Sequence, residues 1–241
     1  NGLVAEYRFD ESRNLLKYSQ QFDNAAWSKS KSTVTANATT APDGTTTADS
    51  FLDAGGGDGN TIHAVQQTVY GLADSTSYTY SVHLKANTLV WARVWIVTKA
   101  GAGVGCFFRL DTPTIGTVVN CTFAMLDVGV GWVRCSITYD TSTGPTTPYA
   151  GVYLGESDGD NTFVGDGTKG IYIWGAQLEA GSVATTYRAT TDKQLLMDTS
   201  RPRKNLFLPN QANCCEDGTT TGFTPLTNST ISASTAQKWQ G

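Results

Sequence analysis

Gly170-Ile171-Tyr172-Ile173-Trp174-Gly175-Ala176-Gln177-Leu178-Glu179-Ala180-Gly181 is the stretch on which the fold turns. Aliphatic and aromatic residues fill positions 171 to 174, small residues follow, and an acidic residue and a glycine end the run. The pattern predicts a closing β-strand. A linker is expected over residues 189–204. The chain then restarts with Lys204-Asn205-Leu206-Phe207, which echoes the earlier Arg13-Asn14-Leu15-Leu16. The expected organisation is a leader strand over residues 1–12 that ends an upstream module, one complete module over 13–188, the linker, and an incomplete second β-sandwich module over 205–241. In the leader, Leu3, Ala5, Tyr7 and Phe9 alternate with other residues, as a strand requires.

The 241 residues carry a formal net charge of −4, and only 16% of them are charged. That balance argues against a nucleic-acid footprint, which needs clustered Lys and Arg. No run approaches the roughly 18 apolar residues of a membrane span. Abundant Thr and aromatics suit strands, and Gly and Asp suit turns. Five cysteines are present, Cys106, Cys121, Cys135, Cys214 and Cys215. An odd count without metal-type spacing argues against a disulfide framework. Cys106 and Cys135 read as small apolar residues facing a core. The vicinal Cys214-Cys215 pair is given no role. This usage suits folding in a reducing compartment better than secretion.

Strands are predicted over residues 14–19, 31–38, 48–53, 63–70, 77–86, 90–99, 106–110, 121–128, 132–140, 149–155 and 170–179. Turn signals such as Pro42-Asp43-Gly44 and Gly165-Asp166-Gly167 separate them, and no helical period competes. The fold class is all-β, an antiparallel β-sandwich. Period-2 alternation then assigns faces. Tyr78, Tyr80, Val82 and Leu84 form one core face. So do Val90, Ala92, Val94 and Ile96; Val133, Cys135, Ile137 and Tyr139; and Ala150, Val152 and Leu154.

The opposite faces carry flat rings, Trp91, Trp95, Tyr149 and Tyr153, and polar groups, His83, Lys85, Arg93 and Arg134. If these strands neighbour one another in one sheet, they form an aromatic platform edged by donors. Sugars need that combination, because pyranose C–H faces stack on rings while hydroxyls need oriented partners. The same face would equally suit burial against another subunit or domain, or a second layer of core under loops such as 51–62. The loops Gly55-Gly56-Gly57-Asp58-Gly59-Asn60 and Asp158-Gly159-Asp160-Asn161 offer oxygens but lack EF-hand spacing, and read as polar turns. His63 and His83 match no nucleophile motif. Neither Gly-x-Ser-x-Gly, His-Glu-x-x-His nor a Walker loop occurs, so no enzyme is expected.

Several motifs occur in a fixed order: Asn14-Leu15-Leu16-x-Tyr18-Ser19-x-x-Phe22-Asp23-x-x-x-Trp27, Ala41-Pro42-Asp43-Gly44-Thr45 with Ala48-Asp49, Tyr80-Ser81-Val82-x-Leu84-Lys85-Ala86, Gly131-Trp132-Val133-Arg134, and Ile173-Trp174-Gly175-Ala176-Gln177-Leu178-Glu179. Together they resemble the carbohydrate-binding-module-like jelly rolls of tailed-bacteriophage structural proteins. The resemblance covers about residues 14–188. It implies a non-catalytic sandwich displayed on a virion, in a tail fibre, tail tip or head decoration, with host-surface or environmental glycans as ligand. It also implies other virion proteins as partners, a homo-oligomer with a trimer favoured, and a structural Ca2+ for which Asp23 and Glu179 are the nearest matching carboxylates. The competing expectation is a purely architectural virion subunit without a glycan ligand.

Overall fold

The computed structural model describes residues 14–56 and 59–192. The leader 1–12, the linker from residue 193, the second module at 205–241 and the Cys214-Cys215 pair lie outside the described residues. Within them are fourteen strands: β1 (Ser28–Ser30), β2 (Ser32–Thr39), β3 (Ala48–Asp53), β4 (Asn60–Ile62), β5 (Ala64–Thr68), β6 (Ser77–Ala86), β7 (Trp91–Val97), β8 (Gly103–Arg109), β9 (Thr114–Val119), β10 (Thr122–Gly129), β11 (Trp132–Asp140), β12 (Tyr149–Gly155), β13 (Thr162–Val164) and β14 (Gly170–Ala180). They form an antiparallel β-sandwich. One six-stranded sheet runs β1-β5-β12-β7-β8-β9, the other β10-β11-β6-β14-β3-β2, and β13-β4 is a separate pair. Among the described residues no helix is long and apolar enough to cross a membrane.

Alternation builds the core as the sequence pattern requires. Tyr80, Val82 and Leu84 of β6, Val133, Cys135 and Ile137 of β11, and Ile171, Ile173 and Leu178 of β14 face Ala92, Val94 and Ile96 of β7 and Ala150, Val152 and Leu154 of β12 in one buried cluster. Burying each large aliphatic side chain contributes about 1.5–3 kcal/mol. Cys106 and Cys135 are buried free thiols in that core, and burial pushes the Cys106 thiol up to about 12.

The closing strand β14 contains the one departure from alternation that matters. Trp174 pairs with His83 and Gln177 with Ser81, so three steps on β14 match two on β6. This β-bulge, with Gly175 at φ +61°, keeps both Trp174 and Gln177 on the outer face while Ala176 and Leu178 stay in the core.

The expected strand at 14–19 is not one. Tyr18 adopts φ 50°, and the segment is instead held by the Asn14 side chain. Asn14, fully buried, donates from Nδ2 to the carbonyls of Ala176 (2.9 Å) and Arg188 (3.0 Å). Its Oδ1 accepts from the backbone N–H of Leu16 and Leu178. One amide thus fastens the start of the described chain to the last strand. Strands β1, β4, β9 and β13 are additional to those expected from the sequence.

Candidate functional site

The eight residues expected to form one platform lie on two opposite outer faces of the sandwich. The condition for a single platform, neighbouring strands in one sheet, is met within two groups but not across them. Trp91, Arg93 and Trp95 on β7 and Tyr149 and Tyr153 on β12 share one sheet. His83 and Lys85 on β6 and Arg134 on β11 belong to the other. The short connection from Ala86 to Trp91 carries the chain from one sheet to the other, which face alternation cannot reveal.

On the second sheet the predicted donors are already engaged. Arg134 donates from Nη1 to the Thr185 carbonyl (2.6 Å) and from Nη2 to Ser81 Oγ (2.9 Å). His83 is buried, with Nδ1 3.2 Å from the Gly175 carbonyl oxygen and its ring between Trp174 and Tyr187. Burial, reinforced by the Arg134 charge, lowers its pKa to about 4, so it is neutral at neutral pH. Lys85 is half-buried with its aliphatic stem against Gly131. The chain after β14 covers this face. Thr185 donates its N–H and hydroxyl to the Glu179 carboxylate, Arg188 N donates to Gln177 Oε1, and Tyr187 Oη meets Ser19 Oγ at 2.7 Å. Trp132 and Trp174 are buried there with Ala41 and Ala48 in a second small core. Residues 40–47 and 181–191, and not the loop 51–62, supply the cover of this sheet.

The calcium expectation meets an unsuitable donor set. Both Glu179 oxygens accept from N–H or O–H donors, Gln177 Nε2 included. Asp23 lies in the turn whose carbonyl takes Lys29 Nζ. Among the described residues no group of three or more His, Cys, Asp or Glu gathers to hold a metal.

The first sheet presents a partly open outer face, on which Trp91, Arg93, Trp95 and Tyr149 are half-buried and Tyr153 and Phe107 are buried. Cross-strand register sets Gly151, Trp95 and Gly105 in one row and Tyr153, Arg93 and Phe107 in the next. Trp95 therefore has a glycine on either side. A Cβ added at Gly103 would fall 1.7 Å from Trp95 Cζ2, and one at Gly105 would fall 2.5 Å from Cε3. The indole lies down over β8 in the space two missing side chains leave. Arg93 folds over it, with Cζ 3.5 Å from the ring centroid, and sits 5.2 Å from the buried Phe107 ring. The buried Tyr153 approaches Trp95 at 6.4 Å between centroids. Burial raises the Tyr153 pKa, so the hydroxyl stays protonated. Trp91 closes one end, packed beside Gly116 and Asp158, whose carboxylate accepts the Thr117 N–H at 2.6 Å.

The sequence pattern does not reveal the Arg93 stack or the two glycines under Trp95. Gly103 and Gly105 lie in a sequence readable only as strand or turn, and their partner is set by register with β7. A separate groove of about 290 Å3 lies on the second sheet, beside edge strand β10. Phe123, Leu126 and Val183 line it, over Arg134, Ser136 and Thr138.

No family model matches this chain, and no curated protein matches it. Solved structures do. The enzymatically active domain of tailspike protein 4 of bacteriophage CBA120 is similar at TM-score 0.40 and 14% identity, over 70% of this chain and 21% of that one. A xylan-binding domain from Paenibacillus barcinonensis is similar at TM-score 0.39 and 14% identity, over 72% of this chain and 97% of that one. A carbohydrate-binding module of the β-sandwich superfamily is similar at TM-score 0.36 and 10% identity, over 70% and 63%. The neighbours are thus carbohydrate-binding-module-like β-sandwiches, one of them from a phage tailspike. The two sheets of the present chain define it as an antiparallel β-sandwich, and likenesses this distant say nothing of what it binds.

Proposed function

We propose that this chain is a non-catalytic virion structural protein of a tailed phage whose sandwich binds glycans on the open face of the first sheet. The virion assignment rests on the ordered sequence motifs shared with phage jelly rolls. The binding assignment rests on one observation: the half-buried Trp95, Arg93 and Tyr149 stand on the outer side of adjacent strands β7 and β12, partly open to solvent, with the buried Tyr153 beside them. An aromatic floor with polar edges suits the two-sided chemistry of a sugar ring. His83, Lys85 and Arg134 have no part in this site. A glycan array probed with the full chain tests it. Tyr149→Ala and Trp95→Ala should each abolish or strongly weaken retention while leaving unfolding cooperative. Retention unchanged in both variants would refute the site.

A second reading, an architectural subunit docked through the other sheet, is favoured by Phe123, Leu126 and Val183, which are 45%, 60% and 70% exposed beside the unpaired edge of β10. Leu126→Ser should then lower the oligomeric state in solution without changing glycan retention.

A further inference from the structure

Arg93 differs from the other described arginines and lysines that carry side-chain hydrogen bonds or ion pairs. Arg134 is held by two hydrogen bonds, Arg109 is paired with Asp111, Lys99 with Asp74 and Lys169 with Glu156. The Arg93 guanidinium makes no hydrogen bond and no ion pair with any described residue, and its Nε is shut off from solvent without a partner. What holds it is the Trp95 ring beneath it and Phe107 beside it. Contact with two rings restricts the guanidinium, and its planar fork of N–H donors matches the geometry of an oxyanion. Partial burial already disfavours the cation, lowering its pKa, and no carboxylate nearby relieves that. A charged fork held rigid, partly desolvated and unpaired is the arrangement that recognises an oxyanion bidentately.

We propose that this face selects acidic saccharides, with Arg93 gripping a carboxylate or sulfate substituent while Trp95 and Tyr149 contact the ring. The inference rests on the glycan-binding reading above and narrows its ligand to anionic sugars. The net charge of −4 gives no general attraction for polyanions, so selectivity must come from this one group.

The full chain is tested for retention on polygalacturonate, which carries carboxylates, on heparin, which carries sulfates as well, and on neutral xylan. Retention on at least one acidic polymer should exceed that on xylan by about tenfold or more, and should weaken with added salt. Polygalacturonate retention identifies carboxylate as a sufficient anion, and retention on heparin alone identifies sulfate. Arg93→Gln should remove the preference. Arg93→Lys, which keeps the charge but loses the fork and the flat stacking, should lose most of it. Lys85→Gln makes the same change in net charge on the opposite sheet and should leave retention as it was. Equal retention on xylan and acidic polymers, undisturbed by either Arg93 variant, overturns the anionic selectivity while the glycan reading stands. Equal weakening by Lys85→Gln overturns it in favour of diffuse charge. No retention on any glycan, on these polymers or on the array, overturns both.

Discussion

Replacing Gly103 with alanine tests the geometry of the open face without touching charge or a ligand-facing group. Gly103 has an ordinary strand backbone, so alanine there meets no conformational barrier, and the loss of glycine freedom alone would stabilise by about 0.5–1 kcal/mol. The obstacle is the indole: the new Cβ would sit 1.7 Å from Trp95 Cζ2. Either the strand strains, at about 1–3 kcal/mol, or Trp95 swings out and gives up its contact with β8 and the Arg93 stack. The net expectation is destabilisation by about 1–2 kcal/mol. The same change in a Trp95→Leu background removes the obstacle and should be neutral or stabilising, so the two substitutions couple by about 1.5–3 kcal/mol. Gly105→Ala provides the contrast. Its Cβ would fall 2.4 Å from the Val94 carbonyl oxygen, which no change at Trp95 can move, so it should destabilise in both backgrounds. Urea unfolding followed by far-UV circular dichroism gives all the free energies. Additivity of Gly103→Ala and Trp95→Leu within about 0.5 kcal/mol would show that the indole does not lie over β8, and the Arg93 stack would fall with it.

Asn14→Ala should cost at least about 3 kcal/mol in urea unfolding, because two buried carbonyls and two backbone N–H groups lose their partner at once; a loss below about 1 kcal/mol would refute the clamp. His83 and Asp49 should give opposite pH dependences. The His83 pKa is lowered from 6.5 to about 4, chiefly by burial. Its contribution is therefore complete above 6.5 and is lost as pH falls through about 4. The Asp49 pKa is raised from 3.8 to about 6, again chiefly by burial, against the N–H donors of Asn37 and Phe22 that oppose the rise. Its contribution is complete below 3.8 and is lost as pH rises through about 6. Relative to the parent chain, His83→Gln should gain stability on acidification from pH 6.5 to 4, and Asp49→Asn should lose it from pH 6 to 3.8. Parallel denaturant titrations across that range check both, and slopes of the same sign in the two variants would refute the assignments.

Much of this architecture is legible in the sequence because β-strands write their two faces at a period of two. The core faces of β6, β7, β11 and β12 follow from that period, and the residues it places inward are the buried ones. The period is silent on which strands are neighbours. Strands β6 and β7 are consecutive in the chain yet enter opposite sheets, so one set of outward residues becomes two. It is equally silent on what covers a face. Tyr187 and Thr185 reach the second sheet from beyond the last strand, and the sequence pattern of β6 and β11 carries no trace of them. In the sequence Asn14 reads as part of a restart, and its clamp is invisible there, since its partners at Ala176, Leu178 and Arg188 are more than 160 positions away.

Two copies of one local motif show how far the long-range contacts decide function. Trp91-Ala92-Arg93 and Trp132-Val133-Arg134 each set a tryptophan and an arginine outward around a small or β-branched core residue. In the second, Trp132 donates its indole N–H to the Thr40 carbonyl and is fully buried, and Arg134 binds Thr185 and Ser81. There the arginine serves folding, bonding the segment that crosses above it. In the first, no hydrogen-bond acceptor reaches Arg93 among the described residues. Arg93 lies down on Trp95 because the glycines of β8 leave that ring room to lie flat, and its donors stay unpaired. Similar local chemistry thus yields a hydrogen-bonded arginine on one face and an arginine without a hydrogen-bond partner on the other. The difference rests on a covering segment at Arg134 and on two glycines at Arg93, which makes Gly103, rather than the arginine itself, the most discriminating position at which to perturb the site.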